Sequence, residues 1–283
     1  MMGPMVLPDP ACPRKGTPAI AALGQGPPVL CLHGLTGTPY ELAPLAAALT
    51  AAGFSVSVPL LAGHGDTAAA LVATRWQDWL ASARAACDHL QAESGGKPVS
   101  ILGFSMGGLL GLRLARLLPG QVVSLVLLAV PLRLRPWQMA GIKLWRHLPA
   151  RWRQGRLAAW PKRGGSDVTD AKARHDNPGL PMMPIAAVAE MVDLAAQARQ
   201  DLAFVRQPAL VVHGQQDRTV RPQTSAWLAR SLAASVVEVL RLPRSGHLVG
   251  IDVEHSQLAE AIVRFLRQSY RPAAGGVGES RPA

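Results

Sequence analysis

Residues 99–118 constrain this chain more than any other stretch. The apolar run Val99 to Leu102 enters Gly103-Phe104-Ser105-Met106-Gly107-Gly108, and a stretch of helical character, Leu109 to Leu118, follows at once. A strand, a tight turn and a helix in that order leave no room for a β-carbon on either side of the serine, which accounts for Gly103 and Gly107. Such a turn holds Ser105 on strained backbone with its hydroxyl exposed, while the Met106 amide points into the same space from the start of the helix. The plainer reading is a glycine-rich turn between a strand and a helix, and the rest of the chain has to decide between the two.

Apolar strands and helices alternate along most of the sequence. Strands are predicted at Pro28–Leu32, Phe54–Val58, Val99–Leu102, Val122–Val130, Ala209–His213 and Val236–Leu242. Between them the pattern predicts helices from Thr38 to about Ala52, from Thr74 to about Glu93, after Ser105, near Ile185 to Leu202, from about Pro222 to Ala233 and from about Glu254 to Gln268. Thr38-Pro39-Tyr40-Glu41 has the form of a capping box with Glu41 reaching back, and Thr74 with Gln77 has the same form. Strands that are apolar on both faces and alternate with helices predict an α/β fold, a mostly parallel, doubly wound sheet covered on each side. In such sheets ligands bind beyond the carboxyl ends of the strands.

Four strand ends carry distinctive residues: His33-Gly34-Leu35, Ser105, Gly214-Gln215-Gln216-Asp217 and Ser245-Gly246-His247. A serine hydroxyl needs a base within hydrogen-bond reach to act as a nucleophile, and histidine suits that role because its pKa lies near neutrality. The imidazole in turn needs a carboxylate to fix its tautomer and stabilise its protonated form. Ser105, Asp217 and His247 occur in the chain order nucleophile, acid, base. Asp252, five residues beyond His247, is the competing acid, but Asp217 follows a buried strand directly whereas Asp252 sits near a helix start. His33 and His64 are read as loop-fixing histidines.

Taken together, His33-Gly34-Leu35-Thr36-Gly37-Thr38, Gly63-His64-Gly65, Trp76 with Trp79, Gly103-Phe104-Ser105-Met106-Gly107-Gly108, Asp217 and His247 resemble the bacterial carboxylesterase and monoacylglycerol lipase branch of the α/β-hydrolase superfamily. The resemblance covers about residues 28–130 and 180–268. It implies an α/β-hydrolase fold and a cofactor-free serine esterase for short- to medium-chain acyl esters or monoacylglycerols; the eight histidines form no H-x-x-x-H or H-E-x-x-H pair, so no metal is expected. The oxyanion donors would be the amides of Leu35 and Met106. It further implies a core made of residues 28–131 and 181–270 and a cap or lid inserted at 132–180. A lead-in at 1–27 is expected to be irregular and a tail at 271–283 disordered. Thioester cleavage or acyl transfer would use the same triad. Dehalogenase and epoxide hydrolase chemistry is disfavoured, because those enzymes carry an aspartate at the elbow.

Charge adds a second feature. The formal net charge is +11, and it is concentrated. Residues 133–174 hold eleven Lys or Arg and two Asp, a net +9, while the remainder holds 18 basic and 16 acidic residues. The basic residues are interleaved with Trp137, Trp145, Trp152 and Trp160. The favoured reading is a solvated cap whose tryptophans line an acyl pocket; the pattern also suits an anionic membrane surface, or a non-catalytic surface-binding protein on the same fold, and with no nucleic-acid motif present, nucleic acid is not expected as a partner. Between Trp137 and Leu148, residues Trp137, Gly141, Leu144, Trp145 and Leu148 share one helical stripe, away from Lys143, Arg146 and His147, although Met139 and Ile142 interrupt the polar face. Cys12, Cys31 and Cys87 are too widely spaced for a disulfide framework or a metal cluster, and the first 28 residues lack an apolar run long enough for a signal or a span. Those two features fit a cytoplasmic protein.

Overall fold

The computed structural model describes residues 18–133, 136–153, 158–162 and 164–270. Strands β1 (Ile20–Ala22), β2 (Pro28–Leu32), β3 (Ser55–Val58), β4 (Val99–Phe104) and β5 (Val122–Leu128) belong to the first half of the chain, with helices α1 (Ala43–Ala51), α2 (Ala68–Val72), α3 (Trp76–Glu93) and α4 (Met106–Leu117) between them. The connection after β5 carries α5 (Pro136–Arg146), α6 (Ala150–Arg153), β6 (Ala159–Pro161), α7 (Ala171–Asp176) and β7 (Met182–Pro184). Then follow α8 (Ile185–Asp201), β8 (Ala209–Gly214), α9 (Gln223–Ser231), β9 (Val237–Leu242) and α10 (His255–Ser269).

Seven strands form one sheet in the order β1-β3-β2-β4-β5-β8-β9, and all neighbours pair in parallel except β1 with β3. The central strands are buried on both faces because alternate residues serve two separate cores. Leu30, Leu32, Ile101, Leu125, Leu127 and Val211 pack with the helices α3, α4 and α8. Their sequence neighbours Val29, Cys31, Leu102, Val126, Leu128 and Val212 pack with α1 and α10 on the other face. The mostly parallel, two-sided sheet expected from the apolar strands is therefore the observed one.

Local details differ from expectation in ways that matter for the site. Part of the lead-in is not irregular: Ile20–Ala22 adds an antiparallel edge strand through its pairing with β3. Residues 1–17 and 271–283 lie outside the described residues. Glu41 does not close a capping box. Thr38 caps a short 3-10 turn by accepting the Tyr40 amide, and the Glu41 carboxylate instead accepts the Gly34 amide at 3.2 Å. Thr74 is likewise not the cap of α3. Arg75 holds that position with Asp78, and the Thr74 hydroxyl accepts the indole N–H of Trp79.

Helix α5 is turned differently from the stripe read in the sequence. Ile142 is its buried residue, Met139 and Trp145 pack against the core, and Leu144 is 67% exposed. Arg146 is tied to the body through Asp193 and the carbonyl of Ala189. The side chain of Trp137, part of that stripe, lies outside what is described. β6 and β7 form a second, two-stranded antiparallel sheet that the sequence pattern did not reveal.

Candidate active site

The elbow is as tight as the sequence requires. A β-carbon on Gly103 would lie 2.4 Å from the carbonyl oxygen of Gly107, and one on Gly107 would lie 2.0 Å from that of Leu32. Ser105 itself has φ +51° and ψ −116°, a conformation costly for a residue with a side chain and held here by its surroundings. Its amide donates to Leu128 at the end of the neighbouring β5.

Three strand ends converge on this turn. His247, in the loop after β9, receives the Ser105 hydroxyl at Nε2 over 3.1 Å and donates from Nδ1 to Asp217 Oδ2 over 2.8 Å. Asp217, in the loop after β8, is buried with every lone pair directed at a donor. Oδ2 accepts from both His247 and His213 Nε2, at 2.9 Å for the latter, and Oδ1 accepts the amides of Thr219 and Val220 at 2.8 and 2.7 Å. Burial alone would raise its pKa, but the charge of His247 and these hydrogen bonds hold it well below the usual carboxylate range. Burial likewise pushes His247 down, yet the Asp217 carboxylate, with Asp167 and Glu41 behind it, leaves its pKa raised.

Asp252 stands apart from the imidazole. It accepts the amides of Thr169, Asp170, Gly246 and Val253 and the Thr169 hydroxyl, so it fastens loops together. Of the two acids, Asp217 meets the His247 imidazole and Asp252 does not.

The amides of Leu35 and Met106 have no hydrogen-bond partner among the described residues. Leu35 borders the cavity that opens onto Ser105 and His247. The loop around it rests on His33, whose Nδ1 donates to Gly34 and whose Nε2 accepts the Leu61 amide. His64 stacks edge-on against both His33 and Trp79. Burial lowers His33 to about 3 and His64 to about 4, so both are neutral loop-fixing groups at ordinary pH.

Four functional neighbours were not read from the sequence. His213 was visible as a lone imidazole ending an apolar strand. Glu41 was assigned to a cap; buried under the Gly34–Gly37 loop, it is pushed up to about 7. Asp167 and Lys162 were counted only as charges in the basic segment. The Asp167 carbonyl accepts the amides of His247 and Leu248, and its Oδ2 accepts the amides of Arg218 and Thr219, so one residue ties both triad loops. The cavity measures about 580 Å³ and is lined jointly by the sheet edge and by residues of the β5–α8 connection.

A strained serine, a histidine within reach of it and a saturated carboxylate behind are the parts of a serine hydrolase, and most of the chain agrees. Residues 27–254 match the hydrolase family described as serine aminopeptidase, S33. The chain belongs to that family. This S33-family hydrolase is similar over 237 residues, 27% identical, to a thermostable monoacylglycerol lipase of Bacillus sp. (strain H-257), spanning 84% of this chain and 89% of the relative. Over 241 residues it is 21% identical to a carboxylesterase of Bacillus subtilis (strain 168), spanning 85% and 92% of the two chains. Among solved structures it superposes with a TM-score of 0.80 and 26% identity on one from work on the metagenome-derived lipolytic enzymes LipS and LipT, covering 89% of this chain and 98% of that one. The fold is thus that of the α/β-hydrolases. No described helix is long and apolar enough to cross a membrane.

Proposed function

We propose that this S33-family hydrolase cleaves carboxylic esters through an acyl-enzyme on Ser105, with short- to medium-chain acyl esters or monoacylglycerols as substrates. The observation that carries the reading is the unbroken chain of hydrogen bonds from Ser105 through His247 to Asp217. Ser105 Oγ attacks the acyl carbonyl and its proton passes to His247 Nε2, which delivers it to the departing alcohol. His247 then draws a proton from water as the water oxygen attacks the acyl carbon, and it returns that proton to Ser105 Oγ as the C–Oγ bond breaks and the acid leaves. Asp217 holds the tautomer and compensates the imidazolium. The amides of Leu35 and Met106 receive the oxyanion, a role for which unpartnered donors are preorganised.

Residues 132–180 act as the cap on this reading. It is supported by Ile142, Trp160 and Val168, which line the cavity above the elbow. The named relatives support the substrate class. Ser105→Ala should leave the fold intact and lower ester turnover by ~10⁴-fold or more, and a fluorophosphonate should label Ser105. Activity surviving Ser105→Ala, with labelling elsewhere, would sink the assignment. Thioester cleavage or acyl transfer stays open to the same residues, and parallel assays with matched esters and thioesters separate the reactions. The two described cysteines, Cys31 and Cys87, are free and buried, which suits a cytoplasmic setting testable by cell fractionation.

One surface feature favours an additional role at an anionic membrane. Leu144 and Trp152 are 67% and 54% exposed, beside the exposed Lys143 and Arg151. Each basic residue near an anionic bilayer contributes ~1 kcal/mol, screened by salt. Sedimentation with anionic liposomes should exceed that with neutral ones at low salt and weaken at physiological salt. Equal, salt-independent partitioning would remove this role.

A further inference from the structure

The hydrolytic residues use one part of the cavity wall and leave another unexplained. Ile142, Met183, Val188 and Met191 give the cavity apolar side chains suited to an acyl group, whereas Lys162, Arg174 and Arg218 bring three cations to the same wall. Two acids share that cavity, and among the described residues neither forms an ion pair with Lys162. Asp167 Oδ2 already accepts the amides of Arg218 and Thr219 and the Thr219 hydroxyl. Glu41 accepts the Gly34 amide, and burial raises it to about 7.

Among the cations, Arg174 is spent on the Val168 carbonyl through Nε and Nη2, and Arg218 is exposed. Lys162 is different. Its ammonium donates to the Thr36 hydroxyl at 2.8 Å, its one side-chain hydrogen bond among the described residues, and it makes no ion pair there. An ammonium carries three donors, so two remain for whatever occupies the cavity. Thr36 directly follows Leu35 and donates to its carbonyl, which fixes the cation beside the loop that supplies an oxyanion donor. Burial lowers the Lys162 pKa and Glu41 only partly restores it. A partly desolvated cation with no carboxylate at ion-pair distance among the described residues is costly to keep unless a ligand compensates it.

We propose that Lys162 is the counter-charge for a carboxylate carried by the substrate, so that the site favours anionic half-esters over neutral esters of the same size. This rests on the ester-hydrolase reading above and adds a substrate class to it. The carboxylate accepts the two remaining ammonium donors while the scissile ester lies at Ser105. The apolar side chains then take the intervening carbons.

The test compares kcat/KM at low salt for two pairs of esters on the full-length enzyme. In one pair the charge is on the acyl side, 1-naphthyl hemiglutarate against its methyl ester. In the other it is on the alcohol side, 3-acetoxybenzoate against its methyl ester. At least one half-ester should be favoured about ten- to hundredfold over its neutral twin, the range for a hydrogen bond to a charged group. That ratio should collapse toward one in Lys162→Met and persist in part in Lys162→Arg. Because each ratio is taken within one preparation, it does not depend on how much of a variant folds. No preference in the wild type, or a preference that survives Lys162→Met, overturns the proposal. Hydrolysis without charge preference removes this inference alone. Failure to hydrolyse any of the four esters, with Ser105 unlabelled by fluorophosphonate, removes the ester-hydrolase reading beneath it.

Discussion

The carboxyl edge of the sheet and the connection that crosses it are built by different rules. At the edge, Ser105 follows β4 at once and Asp217 comes three residues after β8, both strands buried along their whole length; His247 follows β9 after five. The parallel register of β4, β5, β8 and β9 then sets where these residues meet. In the connection, α6, β6, α7 and β7 are three to six residues long. Two of its cavity-lining side chains, Lys162 and Asp167, lie between elements and are located by hydrogen bonds to other loops. Strands place the candidate triad; an irregular segment supplies side chains that tie loops together and line the cavity.

The largest expected effect lies at the edge. Asp217 receives four donors, two imidazole and two backbone, and an asparagine offers one acceptor oxygen in place of two. Asp217→Asn therefore leaves either the amides or the histidines facing an N–H, and the wrong tautomer of His247 should cost ~10⁴ in turnover. Asp252→Asn is the matched control. Its carboxylate meets amides and a hydroxyl but no imidazole, so its loss should register mainly in stability, about 1–3 kcal/mol for donors left unpaired. Denaturant midpoints and turnover on both variants decide the comparison. The reverse ranking would place the catalytic acid at 252.

The same contrast explains what could be read in the sequence. The sheet was legible because alternate residues of each central strand face two cores, so whole strands are apolar. Ser105 and Asp217 were legible as candidates because each follows such a strand, whereas His247 follows β9, which is only partly buried. His213 escaped notice because a single imidazole in an apolar strand carries no spacing signal of its own. Glu41 was misplaced for a physical reason: Thr-Pro-x-Glu is a sound capping pattern, and only the Gly34–Gly37 loop folding over it diverts the carboxylate. The connection was least legible. Three-residue strands have no usable periodicity, and Asp167 acts across 51 residues on Arg218. Its charge was visible, while its partners depend on the finished fold.

An intermediate effect is expected where the connection grips the edge. Asp167 is a positioning residue: its carbonyl holds the His247 loop and its carboxylate holds the loop of Asp217. Asp167→Ala should lower turnover by about ten- to hundredfold, the loss of one or two charge-assisted hydrogen bonds. A second readout tests whether the carboxylate also acts electrostatically. His247 must be neutral to act as base, so turnover falls as pH drops through its pKa, which stands above the ordinary 6.5 of the free imidazole. Asp167 contributes to that rise. Removing it should therefore move the acid limb to lower pH, whereas loss of a merely structural contact would reduce turnover and leave the limb in place.

The smallest effect should come from a residue that the helical stripe in the sequence had made important. Leu144 and Ile142 are two positions apart on α5, yet one is 67% exposed and the other 1%. Ile142 joins the core shared by α3, α4 and α8, while Leu144 makes no such contact. Truncating a buried isoleucine costs about 2–5 kcal/mol, through lost transfer energy and the cavity left behind. An exposed side chain away from caps and networks stays within about 0.5 kcal/mol. Leu144→Ala should therefore leave the thermal midpoint almost unchanged and Ile142→Ala should lower it by several degrees. Equal losses would mean that Leu144 is covered in solution, and the helix would then be packed on both faces as a buried element of the cap.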